Sequence, residues 1–219
     1  SVIFKDNQVQ LFILLIVISV VIVTFWKYQN TASFFNNFRS SFFNTISIFT
    51  GTGYTTQNFN NWGSFIIILF LFLMLVGGCA GSTTCGIKIF RLQILYQSAK
   101  IQIFKLLNPH GVSVAKYNKM PVSESITSSV MGYFFMFIIS YILITLILSF
   151  LGNDFLTSLS GAATSLANVG PGLGNVIGPT KTFAGLSDIT KWVLIIGMLT
   201  GRLELLSVII ILTPSFWKN

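Results

Sequence analysis

Residues 50–56, TGTGYTT, and residues 168–174, NVGPGLG, decide how this 219-residue chain is built. Each closes a semi-apolar run of helical composition, Phe34 to Phe49 before the first and Leu156 to Ala167 before the second. Four longer stretches, 8–27, 63–90, 124–151 and 190–213, are apolar enough to cross a bilayer, which takes ~20 residues at 1.5 Å each. The order is therefore span, short helix, Gly-rich turn, span, and then the same again. Such an internal repeat governs the whole fold assignment. The short helices cannot cross a membrane twice, so the pattern predicts helices that enter partway and return as extended backbone. Irregular backbone at membrane depth survives only where protein buries it or water lines it, since each unpaired N–H or C=O in lipid costs several kcal/mol. Two such segments imply a pore or a binding cavity.

Composition agrees. Hydrophobic residues make up 53% of the chain and charged residues 8%, against about 25% charged in an ordinary soluble domain. Thirteen basic and five acidic side chains cannot solvate the surface of a protein this size, so lipid must cover most of it. The net charge of +8 is concentrated rather than spread. Lys88, Arg91, Lys100, Lys105, Lys116 and Lys119 fall between two apolar stretches in a segment free of acids, which reads as a cytoplasmic loop under the positive-inside rule and not as a nucleic-acid surface. That loop also attracts anionic lipid. With it and Lys218 both on the cytoplasmic side, the two repeats run parallel and their turns open outward. Residues 9–25 lack a clearly basic flank and a small-residue cleavage site, so they read as a retained span rather than a leader. The opening serine, in place of methionine, points to a piece of a longer chain. Two cysteines, Cys79 and Cys85, and a single histidine, His110, leave no disulfide framework and no histidine-based zinc site.

Stripping water from a small cation costs far more than one ligand returns. Rings of backbone carbonyls solve this, and glycine permits the φ values that turn successive carbonyls to one side. Thr52, Gly53 and Tyr54 in the first turn and Asn168, Val169, Gly170 and Pro171 in the second are the candidate filter residues, with Thr55 or Asn168 tying the strand to its surroundings. The alternative for either turn is a capped helix end. Inside the second span, GGCAGSTTCGIK (77–88) is a poor helix, each glycine costing about 1 kcal/mol relative to alanine. Gly77 and Gly81 have the spacing of close helix packing, but ten consecutive small or polar residues exceed what packing needs. A break in the span is the sharper reading, a polar loop beneath the filter built from Gly77, Gly78, Gly81, Ser82, Thr83 and Thr84. Arg202 lies mid-way along the fourth span, where insertion costs roughly 2.5–3.5 kcal/mol unless the side chain faces protein or water. Either it forms a buried ion pair or it hydrogen-bonds the 77–86 loop and sets a gate in the cation path.

Taken together, TGTGYTT, GGCAGSTTCGIKIFRLQIL (77–95), SLANVGPGLG (165–174) and GRLELLSVIIILTP (201–214) resemble the Trk/Ktr family of potassium-uptake membrane subunits, along essentially the whole chain and in order. The resemblance implies an all-α membrane protein of two parallel membrane–pore-helix–membrane repeats with re-entrant filter loops. They correspond to the third and fourth of the family's four repeats. Residues 1–95 would be the third-type repeat, 96–122 the basic cytoplasmic connection and 123–219 the fourth-type repeat. It implies potassium as transported substrate at Thr52, Gly53, Val169 and Gly170, no covalent cofactor, and gating by the 77–86 loop opposed by Arg202. A threonine and a cysteine stand at 84–85, where the family has a small residue, often glycine, and would stiffen or narrow that loop. The turns differ from the longer TVGYG filter, so strict selectivity over sodium does not follow. Implied partners are membrane lipid, a second copy or the other half of the pore, and a cytosolic nucleotide-binding ring subunit. The implied location is a bacterial inner membrane, crossed several times.

Two filter segments make half a ring. The chain is then the tail of a longer one, or two copies combine, or it is a non-conducting remnant that associates with full-length subunits. A rival from another class, an intramembrane hydrolase, needs a nucleophile with its base or two facing carboxylates at membrane depth. His110 sits in the basic loop, Asp154 at the end of a span, and Glu204 has no evident carboxylate opposite.

Overall fold

The computed structural model describes residues 6–30, 33–108, 114–118, 120–203, 210 and 214–217. The expectations attached to His110, Lys119, Glu204, Lys218 and most of 204–213 lie outside the described residues. The described residues form eight α-helices: α1 (Asn7–Asn30), α2 (Phe34–Phe49), α3 (Ser64–Leu75), α4 (Ile89–Leu107), α5 (Glu124–Phe150), α6 (Phe155–Ala167), α7 (Gly174–Ile177) and α8 (Asp188–Arg202). A two-residue antiparallel ladder joins β1 (Lys116–Tyr117) to β2 (Met120–Pro121), with Tyr117 opposite Met120.

α1 and α5 are long enough to span ~30 Å of hydrocarbon at 1.5 Å per residue. They are not the core helices of a soluble domain, because only 22% of the most apolar window of α1 and 17% of that of α5 is buried inside the protein. Leu14, Val17, Val21 and Phe25 of α1 and Phe135, Leu146 and Phe150 of α5 are exposed, an apolar surface far beyond what water tolerates. α2 and α6 are the opposite case, being short and polar on the buried side. Asn37, Ser40, Asn44 and Ser47 recur at helical spacing on the buried face of α2, and Thr157, Ser160 and Thr164 do so on α6.

The third expected element, 63–90, is a helix interrupted. α3 ends at Leu75, residues 76–88 leave helical geometry, and α4 begins at Ile89. The break is pinched at its base. Val76 and Ile87 form a parallel bridge, with Gly77 N–H donating to Ile87 O at 2.9 Å and Ile87 N–H to Leu75 O at 3.0 Å. A side chain at Gly77 would collide with the Cys85 carbonyl, so only glycine lets the two limbs of the loop meet here. α4 then continues to Leu107, through position 95 where the sequence suggests a boundary. Its Ile89, Ile94 and Ser98 are buried, so the basic segment is in large part an amphipathic helix.

The main core joins the two Gly-rich turns. Ile48 and Phe49 of α2 and Phe70 and Met74 of α3 pack with Ala163 and Ala167 of α6 and with Val169 and Leu173 beyond it. α8 lies against α6 at unusually close range. A β-carbon on Gly197 would stand 2.7 Å from Ser165 Oγ, and one on Gly201 would overlap the Leu166 carbonyl. This is the small-xxx-small seam that lets helix backbones approach without a solvent-driven force.

Candidate functional site

Both helices that precede the turns end the same way. Gly51 after α2 and Asn168 after α6 adopt the left-handed conformation, at φ +66° and +51°, which turns the chain sharply off the helix axis. The next two amides are tied back to the helix just left. Thr52 N–H and Gly53 N–H donate to Ser47 O at 2.9 and 3.2 Å, while Val169 N–H donates to Thr164 O at 3.2 Å and Gly170 N–H to Thr164 Oγ1 at 2.9 Å. One sequence offset carries Ser47 onto Thr164, Gly51 onto Asn168 and Gly53 onto Gly170. With the amides drawn backward, the carbonyls of Thr52, Gly53, Tyr54, Asn168, Val169 and Gly170 accept no hydrogen bond from the described residues. Thr52, Tyr54 and Gly170 are exposed, Gly53 and Asn168 partly so and Val169 buried, so these carbonyls are open to solvent or to a ligand. Neutral oxygens at such positions suit a hard, oxygen-seeking cation.

The two turns are in contact. A side chain on Gly53 would overlap the Val169 carbonyl oxygen and come within 3.3 Å of Pro171 Cδ; one on Gly170 would sit 3.5 Å from Gly53 Cα. Thr52, Gly53, Val169, Gly170 and Pro171 thus meet in one place, with Asn168 at its edge. The Tyr54 side chain faces outward and is 73% exposed.

Side chains hold the extended segments rigid. Asn44, fully buried on α2, donates from Nδ2 to Thr56 Oγ1 at 2.8 Å and accepts Thr56 N–H on Oδ1 at 3.1 Å. Thr55 Oγ1 donates to Pro179 O at 3.0 Å, and Asn168 Nδ2 donates to Met198 O on α8 at 3.0 Å, so both residues singled out as strand ties are ties. Asn60 braces the region beyond the first turn to that beyond the second, donating to Gly174 O at 2.8 Å and accepting Gly174 N–H at 3.1 Å. Sequence reasoning missed Asn44, Ser47, Thr164 and Asn60. The polar stripe at 37, 40, 44 and 47 in an otherwise apolar chain was a usable signal for the first two.

Beneath the turns lies the 77–86 loop. The Thr84 methyl reaches to 3.0 Å from where a β-carbon on Gly51 would be, so the loop rises to the inner end of the first turn. A polar cavity of about 110 Å³ remains between them, lined by Thr50, Gly51 and Asn168 above and by Thr83, Thr84, Cys85 and Arg202 below. Arg202, at the end of α8, donates from Nη1 to Thr83 O at 2.5 Å and lies 3.9 Å from Cys85 Sγ. Lys88 Nζ donates to Ser82 O at 2.8 Å, and the Ser82 and Thr84 hydroxyls share a hydrogen bond of 2.7 Å. Gly78 faces those two hydroxyls, whereas Gly81, at φ +83°, has open space around it. Cys79 is half-buried and Cys85 buried, both as free thiols. Ala80 to Thr83 are exposed while Gly77, Gly78, Cys85 and Gly86 are buried, and discrete hydrogen bonds hold the loop.

The family model described as TrkH, a cation transport protein, matches residues 2–218. Among similar proteins, the Trk system potassium uptake protein TrkI of Halomonas elongata is 43% identical over 98% of this chain and 44% of its own length. The Trk system potassium uptake protein TrkH of Vibrio parahaemolyticus is 34% identical over 99% of this chain and 44% of its own. The crystal structure of the potassium transporter TrkH from Vibrio parahaemolyticus superposes with a TM-score of 0.90, covering 98% of this chain and 46% of that one. The chain thus spans less than half the length of the relatives it matches.

Proposed function

The chain belongs to the TrkH cation transport family, and on that premise we propose that it forms half of a potassium-uptake pore in a bacterial inner membrane, crossed several times. Residues 1–95 and 123–219 are then two parallel repeats joined by the basic connection 96–122, each giving one re-entrant pore helix and one filter segment. The observation that carries this reading is the pair of matched turns whose amides are tied back while their carbonyls are left open.

A potassium ion entering from outside exchanges its water for the carbonyls of Thr52, Gly53, Val169 and Gly170. It then reaches the cavity bounded by Thr50, Gly51 and Asn168. There the 77–86 loop and the Arg202 guanidinium stand in its way, one by bulk and one by charge. Opening requires the Arg202 bond to the Thr83 carbonyl to break, a charge-assisted bond worth about 1.5–3 kcal/mol. The membrane potential drives uptake at about 2.3 kcal/mol per charge per 100 mV, enough for roughly 50-fold accumulation at 1.4 kcal/mol per decade. The complementary filter segments come from a second copy or from another half of the pore, and a cytosolic nucleotide-binding ring subunit would meet the face bearing 88–119.

Proteoliposomes holding this chain, alone and together with the unmatched part of the Halomonas relative, test the reading through potassium and sodium flux. Potassium flux from the chain alone means that copies combine into a ring, and flux only after supplementation means that the chain is one half. Folded, inserted protein silent in both preparations contradicts the reading.

A further inference from the structure

Besides Arg202 and the Tyr133 hydroxyl, which donates to Gly86 O at 3.4 Å, the 77–86 loop has a further tether. The Ala80 N–H donates to Gln8 Oε1 at 3.0 Å, and Gln8 Nε2 donates to Asp6 Oδ2 at 3.0 Å. The other carboxylate oxygen of Asp6 accepts the Tyr117 hydroxyl at 2.7 Å, Asn118 Nδ2 at 3.3 Å and the Gln8 backbone N–H at 3.0 Å. Tyr117 and Asn118 belong to the β1–β2 hairpin of the basic connection, more than a hundred residues away in sequence.

The hairpin also builds the start of α1. A helix leaves its first amides without partners, and a carboxylate or amide oxygen just before it supplies them while favouring the positive end of the dipole. Asp6 does this for Gln8 N–H, and Asn118, itself in the left-handed conformation at φ +47°, does it for Asn7 N–H at 3.1 Å. The Tyr117 ring packs edge-on against Phe90 at 4.8 Å, and Gln93 Nε2 donates to Asn7 O at 2.9 Å. Both Phe90 and Gln93 lie in the first two turns of α4, into which the loop feeds. One residue past Ala80, Gly81 has a positive φ and nothing packed against it, so the loop can pivot there once the Ala80 bond is released.

We propose that Asp6 and Gln8 are positioning residues for the intramembrane loop, and that the Tyr117–Asp6–Gln8–Ala80 chain of hydrogen bonds makes the β1–β2 ladder a cytoplasmic handle on it. The loop's role as a gate rests on the reading above, but its tethering does not. Lifting the hairpin removes the hydroxyl that holds Asp6, loosens the first turn of α1, and frees the Ala80 amide.

Cys79 and Cys85 flank the contact and report on it without further substitution. Maleimide labelling of the chain in membranes, resolved at each cysteine by mass spectrometry, is compared for the parent, Tyr117→Phe, Gln8→Ala and the double variant. Tyr117→Phe keeps the ring on Phe90 and removes only the hydroxyl. Each single variant is expected to raise the Cys79 rate about twofold to tenfold, the equivalent of one hydrogen bond, with the double variant no faster than Gln8→Ala and Cys85 unchanged. A rise confined to Gln8→Ala, additive rises in the double variant, or equal rises at both cysteines would overturn the proposal. Labelling reads the loop and not the ion, so this result is independent of whether the chain conducts.

Discussion

Arg202 shows how much one residue can decide. Arg202 lines a polar cavity and holds the Thr83 carbonyl; on the proposed reading its guanidinium would repel a cation that the carbonyls attract. Arg202→Ala should raise ion flux by about tenfold or more, the factor for one charge-assisted bond, as measured by potassium efflux from loaded vesicles. Gly53→Ala should act the other way. It forces φ +77° on a residue with a side chain and drives that side chain into the Val169 carbonyl, a cost on the order of 1–3 kcal/mol that should abolish selective flux while leaving the protein inserted. A third prediction concerns Asp6, outside the spans. The Tyr117 hydroxyl, then the Gln8 amide, hold its carboxyl at about 2, below the ordinary 3.8. Because the folded value is the lower one, the stabilisation is complete above the ordinary value and is lost as pH falls through about 2. Carboxyl-carbon NMR should find Asp6 still ionised near pH 3, and in Tyr117→Phe its resonance should titrate higher. Arg202 was legible in the sequence because a charge inside an apolar run is conspicuous. Gln8 was not, since a glutamine at the mouth of a span looks like any other interfacial polar residue and its partner amide is 72 positions away.

At the scale of elements, hydrophobic runs and glycine density were good guides. α2 coincides with the run expected from Phe34 to Phe49, α6 begins one residue before the one expected from Leu156, and the break in 63–90 falls within its cluster of glycines. What composition concealed was the extent of α4, because lysines that mark a cytoplasmic segment also fit the wet face of an amphipathic helix. The α6–α8 seam was hidden too. Gly197 and Gly201 sit in a run that reads as an ordinary span, and only the Leu166 carbonyl lying against Gly201 explains the second glycine. Gly201→Ala should therefore push α8 off α6, carrying Arg202 with it, at a cost of about 1–3 kcal/mol for overpacking. A lowered thermal midpoint in detergent, together with faster labelling of Cys85, is the expected pair of signals.

Across the whole molecule, the two turns are held together by a shared core and a few cross-ties rather than by their own contact. Asn60 is the clearest of these, its side-chain amide closing a two-bond ring with the backbone of Gly174. Asn60→Ala should cost about 1–3 kcal/mol by leaving both Gly174 groups unpartnered, read as a lower midpoint of thermal unfolding. Sequence patterning could not have paired residues 114 positions apart, whereas a recurring turn could be seen on the page. On the proposed reading, the remaining question is what supplies the other filter segments. The most direct measurement replaces the matching part of the Halomonas relative with this chain and follows potassium uptake in cells lacking their own uptake systems, with Gly53→Ala alongside. The account predicts uptake by the chimera and none by its Gly53→Ala form at equal membrane abundance. A folded, inserted chimera that takes up no potassium, or one whose uptake is indifferent to Gly53→Ala, would contradict it.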